Sequence, residues 1–133
     1  MKKVRSEFGA HGHWLRQIWR EGNLAVYGRS LTKEHLPHEL ELAVIRVRGT
    51  VTMPSGLVVE THETYPSDSQ WGTYAWSFPV RHKAWVMNLA ASCSRDLEGL
   101  GAFIRQALTD YKETEEFKKI ESRFEEDRKA GVR

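Results

Sequence analysis

Apolar and polar residues alternate with a period of two in short runs from Trp14 to Phe78, and recur with a helical period from Val80 onward. In the first run, Trp14 to Arg20, strict alternation places Trp14 and Ile18 on one face with Arg16 and Arg20, and Leu15 and Trp19 on the other. Leu24 to Arg29 follows as a second strand, with Val26 and Tyr27 as β-formers. Glu21-Gly22-Asn23 between them is turn chemistry, because Gly and Asn tolerate positive φ, so the two runs predict a hairpin. Met1 to His13 mixes charges, glycines and histidines without a period and reads as a frayed lead-in.

Pro37 keeps the polar stretch Ser30–Glu39 from being a continuous helix, leaving a loop or a single helical turn. Leu40 to Arg48 reads as a third strand, apolar on both faces over Leu42–Ile45 and hence central in its sheet. Met53-Pro54-Ser55-Gly56 has the composition of a type I turn, and Leu57 to Thr64 alternates as a fourth strand. After a loop over Tyr65–Gln70, Thr73 to Phe78 sends Tyr74, Trp76 and Phe78 toward the core. Pro79 suits a first helical position, and Val80, Ala84, Met87 and Ala91, widened by Trp85 and Leu89, form the stripe of a helix over 80–92. Ser94 is the expected N-cap of a second helix carrying Leu97, Leu100, Ile104, Leu108 and Tyr111. A third stripe, Phe117, Ile120 and Phe124, is out of phase with the second, which places a break near Glu113–Thr114. The pattern is that of an α+β fold: an antiparallel meander of four to five strands packed against a helix, followed by C-terminal helices. Residues 1–133 read as one domain, with 14–92 as sheet and first helix and 94–130 as a helical extension.

Composition narrows the function classes. The net charge is +2, with 13 basic against 10 acidic residues over 1–109 and 7 against 8 over 110–133, which is not the strong basic footprint of a phosphate-backbone binder. No apolar run approaches the ~20 residues of a membrane-spanning helix, and no apolar block follows Lys2, Lys3 and Arg5 as a secretory signal would require. A single cysteine, Cys93, cannot form an internal disulfide and suits a cytoplasmic location.

Tyr65-Pro66-Ser67, then Trp71-Gly72, then Trp76-Ser77-Phe78 and Ala84, together with the Trp19–Tyr27 hairpin, resemble a group of small uncharacterised phage and prophage proteins. The resemblance covers about residues 14–90 and implies a Tyr-Pro-Ser turn leading into Trp-Gly, an aromatic strand and a helix; the group carries no settled function. The chain is also similar, more faintly, to the WGR domain, with Thr73 standing where that domain has its arginine; its nucleic-acid role is not carried over.

Candidate chemistry is sparse. His11 and His13 have the spacing for two metal ligands on one side of a strand, but a third, His62 or Glu60, is brought near by nothing in the sequence, and no metal or cofactor is expected. Pro37 breaks any shared helix face for His35 and His38. Glu60, His62 and Asp68 lie close enough for acid–base work, yet Ser67 and Ser69 read as turn caps and no nucleophile accompanies them. Cys93, in an Ala-Ala-Ser-Cys-Ser context, reads as structural despite nearby Arg95. With no phosphate loop, nucleophile elbow or paired-cysteine motif, no catalysis is expected.

Binding is the remaining class. Arg16, Arg20, Arg46, Arg48 and Trp71 are interface-type residues, and the narrow Phe117/Ile120/Phe124 stripe is fit to pack on its own domain, a second copy or another protein. The leading expectation is a non-catalytic phage- or prophage-type protein that binds another protein, a host factor among the options. The alternative is a nucleic-acid module stacking bases on a basic, aromatic sheet face.

Overall fold

The computed structural model describes residues 1–10 and 12–131, so His11 of the His11/His13 pair lies outside the described residues. The chain divides into two compact units, Met1–Leu97 and Glu98–Arg133.

The first unit is built on a five-stranded antiparallel sheet in the order β1 (Glu7–Ala10), β2 (His13–Glu21), β3 (Leu24–Ser30), β4 (Glu39–Val44) and β9 (Ala75–Pro79). This is the α+β meander that the alternation predicts. The lead-in is not frayed: Phe8 and Ala10 register against Leu15 and His13, and the Tyr27 hydroxyl donates to the Arg5 carbonyl at 3.1 Å. Its short length and glycines hide a strand from any periodicity count.

β2 carries a bulge that changes its faces. Gln17 pairs with Tyr27 and Trp19 with Val26, so Ile18 is the extra residue, 36% exposed. Arg16 and Arg20 therefore lie on opposite faces of the sheet, not on one as strict alternation requires. The outer face carries Leu15, Ala25, Tyr27 and Ala43, which with Ile45 form one buried cluster covered by Val4, Phe8 and Tyr65. The opposite face carries Val26, Leu40, Leu42, Trp76 and Phe78, over which α1 (Lys83–Cys93) packs. Burial on both faces explains the continuous apolar run of β3. Gly28 in β3 is required by a close approach: a Cβ there would lie 2.8 Å from Pro37 Cγ, whose loop folds back over the strand.

The expected strand Leu40–Arg48 is two strands. After Val44 the chain leaves the large sheet, with the Ile45 amide donating to the Asn23 carbonyl at 2.7 Å, and starts a separate arm. The arm comprises β5 (Arg46–Arg48), β6 (Val51–Thr52), β7 (Val58–Val59) and β8 (His62–Thr64), paired β5 with β8 and β6 with β7. Its tip is the predicted Met53–Gly56 turn, closed by the Gly56 amide on the Met53 carbonyl at 2.9 Å.

Pro79 is the last residue of β9 rather than the first of a helix. β9 is an edge strand, where a missing N–H costs no ladder bond. The chain then makes a 3-10 turn, Val80–His82, and α1 buries Val86, Leu89, Ala90 and Cys93, leaving Ala84 and Ala91 exposed. The expected stripe is rotated because Lys83–Cys93 is apolar nearly all round, and the sheet selects the buried face. Ser94 does not cap the second helix; its hydroxyl turns back to the Ala91 carbonyl at 3.3 Å, at the end of α1.

In the second unit, α2 (Leu100–Lys112) follows Gly99, whose φ of +66° favours glycine. Of its expected stripe Leu100, Ile104 and Tyr111 are buried and Leu108 is half-buried, whereas Leu97 precedes the helix and belongs to the first unit. The expected break falls at Glu113–Thr114, and α3 (Glu115–Lys129) is capped by Thr114, which accepts the Phe117 amide at 3.2 Å.

Candidate functional site

The four arginines singled out by the sequence are brought to no common face. Arg16 pairs with Glu7 at 2.9 Å, where Glu7 also accepts from the Trp14 indole at 3.1 Å. Arg20 is gripped bidentately by Glu63, at 2.8 and 2.6 Å, and those bonds hold the Glu63 carboxyl down to about 2. Arg46 lies over the Tyr74 ring, 4.1 Å from its centroid. Arg48 is exposed in β5, registered against His62, and makes no ion pair among the described residues. In the second unit, Phe117 packs edge-on against Tyr111 at 5.2 Å, Ile120 is half-buried, and Phe124 is 41% exposed.

Trp71 belongs to a different constellation, on the outer face of the sheet. A cavity of about 260 Å³ opens there, with His13 from β2, Arg29 from β3, Glu41 from β4, and Tyr65, Asp68 and Trp71 from the loop before β9. Cross-strand register assembles it, because Arg29 pairs with Leu15 on one side and Glu39 on the other, one step from Glu41. The Tyr65 ring is wedged edge-on against Phe8 at 5.2 Å and Tyr27 at 5.1 Å, which fixes its hydroxyl. That hydroxyl donates to Glu41 Oε2.

Glu41 is a carboxylate with its side chain only 4% exposed. Burial pushes its pKa up, partly offset by the Tyr65 hydrogen bond and the Arg29 charge. Tyr65 is shifted strongly upward by burial and by the neighbouring carboxylate, so its proton stays on to be donated. Arg29 Nη1 stands 3.5 Å from both Glu39 Oε2 and Glu41 Oε1, too far for good hydrogen bonds, so the attraction is coulombic. Its Nη2 lies 3.2 and 3.3 Å from the two ring nitrogens of His13, and the His38 ring is 6.0 Å from that of His13. One cation thus stands beside the lining carboxylate Glu41, with Asp68, an indole and a phenol in the same wall. At an effective dielectric of ~20, a second like charge about 5 Å from any of them costs about 3 kcal/mol.

Of these residues the sequence reading named Trp71 as a binding residue and missed Arg29, Glu41 and Tyr65. The signal was there: Glu41 sits between Leu40 and Leu42 at the head of the apolar run Leu42–Ile45, and a charge at such a position must be paired. The Glu60/His62/Asp68 trio is not assembled as a site, since His62 Nδ1 contacts the Glu60 carbonyl at 2.9 Å, Glu60 is exposed, and Asp68 lines the cavity. Among the described residues no three His, Cys, Asp or Glu are grouped to hold a metal, and no helix is long and apolar enough to cross a membrane. Cys93 is buried on α1 and its thiol is pushed up by that burial, which disfavours the reactive thiolate.

The arm presents the other unusual surface. Val47, Val51, Met53, Leu57 and Val58 are each more than two-fifths exposed, Leu57 by 64%. Val51 pairs with Val59 and Thr52 with Val58, so both faces of the two-stranded tip carry valine. Exposed Lys2, Lys3 and Arg48 lie toward its base, where Lys2 bridges to His62. No protein-family model matches the chain, and no curated protein or solved structure matches it.

Proposed function

We propose that this protein acts without catalysis by binding another protein through the arm Arg46–Thr64. The observation that carries the reading is the run of exposed apolar side chains on both faces of a two-stranded hairpin. An isolated hairpin of that size is marginally stable, and an exposed apolar edge invites a partner. The partner surface that fits is an apolar patch with carboxylates along one side, because Lys2, Lys3 and Arg48 lie toward the base of the apolar arm. The phage- or prophage-like signature Tyr65-Pro66-Ser67 to Trp76-Ser77-Phe78 makes a bacterial cytoplasmic protein the partner to seek, and a lone buried cysteine is consistent with that compartment.

The test compares the wild-type chain with a Val51→Ser/Leu57→Ser/Val58→Ser variant. These exposed positions should leave the melting temperature unchanged, and capture from a bacterial lysate should yield one protein in equimolar amount with the wild type only. Equal recovery by both proteins would show that the arm is not the docking element. A concentration-dependent mass in solution, lost in the variant, would make a second copy of the chain the occupant instead.

A further inference from the structure

We propose that the cavity between Trp71, Tyr65 and the Arg29–Glu41 pair binds a neutral, planar heterocycle bearing both N–H donors and ring acceptors, the chemistry of a nucleobase. The inference goes beyond the docking arm, whose residues do not line the cavity.

Charge selects the class. An anionic ligand meets Glu41 and Asp68 at like-charge cost, and a cationic one has to compete with Arg29, which already stands 3.5 Å from Glu41 and repels it. A neutral ring escapes both penalties and still finds carboxylate acceptors for its N–H groups and guanidinium donors for its carbonyl or ring nitrogen. Because Arg29 Nη1 sits 3.5 Å from its carboxylates, that group can turn to a ligand without breaking a short hydrogen bond, while Nη2 stays on the His13 ring.

Shape agrees with charge. Trp71 is half-buried and offers an indole on which a flat ring stacks, while Ala10, Leu15 and Pro66 add apolar wall beside His13 and Asp68. The space, about 260 Å³, equals roughly nine waters at ~30 Å³ each, which suits one or two fused rings. Tyr65, wedged by Phe8 and Tyr27 and bonded to Glu41, holds the polar end in place before anything binds. The same ring chemistry is offered by a free nucleoside and by an unstacked base of a single strand.

The experiment titrates the full chain with the four ribonucleosides and, in a second arm, with single-stranded homo-oligonucleotides, followed by tryptophan fluorescence and calorimetry. At least one base type should quench and saturate. Trp71→Ala should weaken it about tenfold or more, the loss expected for a stacked base. Glu41→Gln keeps the shape but exchanges an acceptor for a donor, and should change which base binds best. Trp85→Phe, on α1 at the opposite face of the sheet, should leave affinity unchanged. Nucleosides binding as tightly as oligonucleotides identify a free-base site; oligonucleotides alone identify a strand. The inference is overturned if neither ligand binds, if Trp71→Ala leaves affinity intact while the variant remains folded, or if guanidinium or acetate binds the cavity more tightly than any base.

Discussion

Glu63→Gln is the substitution whose consequences the structure fixes most fully. The Glu63 side chain is 5% exposed and joins three segments: it accepts two bonds from Arg20 of β2, at 2.8 and 2.6 Å, and the Val4 amide at 3.1 Å, while sitting in β8 of the arm. The Arg20 bonds pull its carboxyl from 4.5 to about 2, against the upward pull of burial. At ~1.4 kcal/mol per pH unit that drop corresponds to at most about 3.5 kcal/mol. Glutamine retains one oxygen for Val4 or Arg20, and the guanidinium, 21% exposed, recovers some hydration, so a loss of about 2–3 kcal/mol is expected near neutral pH. Because the folded-state value is depressed, this stability is present above the unfolded value of 4.5 and disappears as pH falls through about 2. Urea unfolding of both proteins should therefore show a gap that is full at neutral pH, shrinks below about pH 4.5 and closes near pH 2. A gap under about 1 kcal/mol at neutral pH, or one that stays constant down to about pH 2.5, would refute the buried-pair reasoning.

Three further substitutions test the packing. Gly28→Ala drives a methyl to within 2.8 and 3.1 Å of Pro37 and should cost about 1–3 kcal/mol; unchanged urea stability would mean that the Ser30–His38 loop yields freely. Tyr65→Phe deletes the donor to a nearly buried carboxylate and should cost about 1–3 kcal/mol, with a neutral result showing that Glu41 finds water or Arg29 instead. Trp76→Ala, at a ring 9% exposed, should cost about 3–5 kcal/mol, whereas Trp76→Phe should cost less because the indole N–H has no hydrogen-bond partner among the described residues; an unchanged melting temperature for Ala would place the ring at the surface.

What the sequence revealed and what it hid divide along physical lines. Alternation found β2, β3, β4 and β9 because each has a face whose burial is visible in residue type. The phase slip between Leu100–Tyr111 and Phe117–Phe124 found the break that Thr114 caps. Pattern failed where one residue changed the phase: the bulge at Ile18 is invisible to a period count, and it alone separates Arg16 from Arg20. It failed again on α1, where an almost uniformly apolar segment contains no preferred face until the sheet supplies one. The cavity was half legible. Trp71 stood out by type, but Arg29, Glu41 and Tyr65 converge only through cross-strand register and a returning loop, contacts 12 and 24 residues apart in the chain for Arg29–Glu41 and Glu41–Tyr65.

The disposition of the arginines separates two ways of meeting nucleic acid. A stacking surface on the sheet requires Arg16, Arg20, Arg46 and Arg48 to be available together to phosphates. Instead Arg16 is paired with Glu7, Arg20 with Glu63, and Arg46 lies over Tyr74, which leaves Arg48 exposed. Each phosphate neutralised on a single strand contributes about −0.7 to the slope of log affinity against log salt. Four arginines acting together would give about −3, whereas a base held in the cavity, whose lining among the described residues carries the single guanidinium of Arg29, gives about −0.7 or shallower. An oligonucleotide titration at several salt concentrations reads the slope directly. A shallow slope abolished by Trp71→Ala locates binding at the base; a slope near −3 that survives that substitution would return the interaction to the sheet face and show that the ion pairs Arg16–Glu7 and Arg20–Glu63 open on binding.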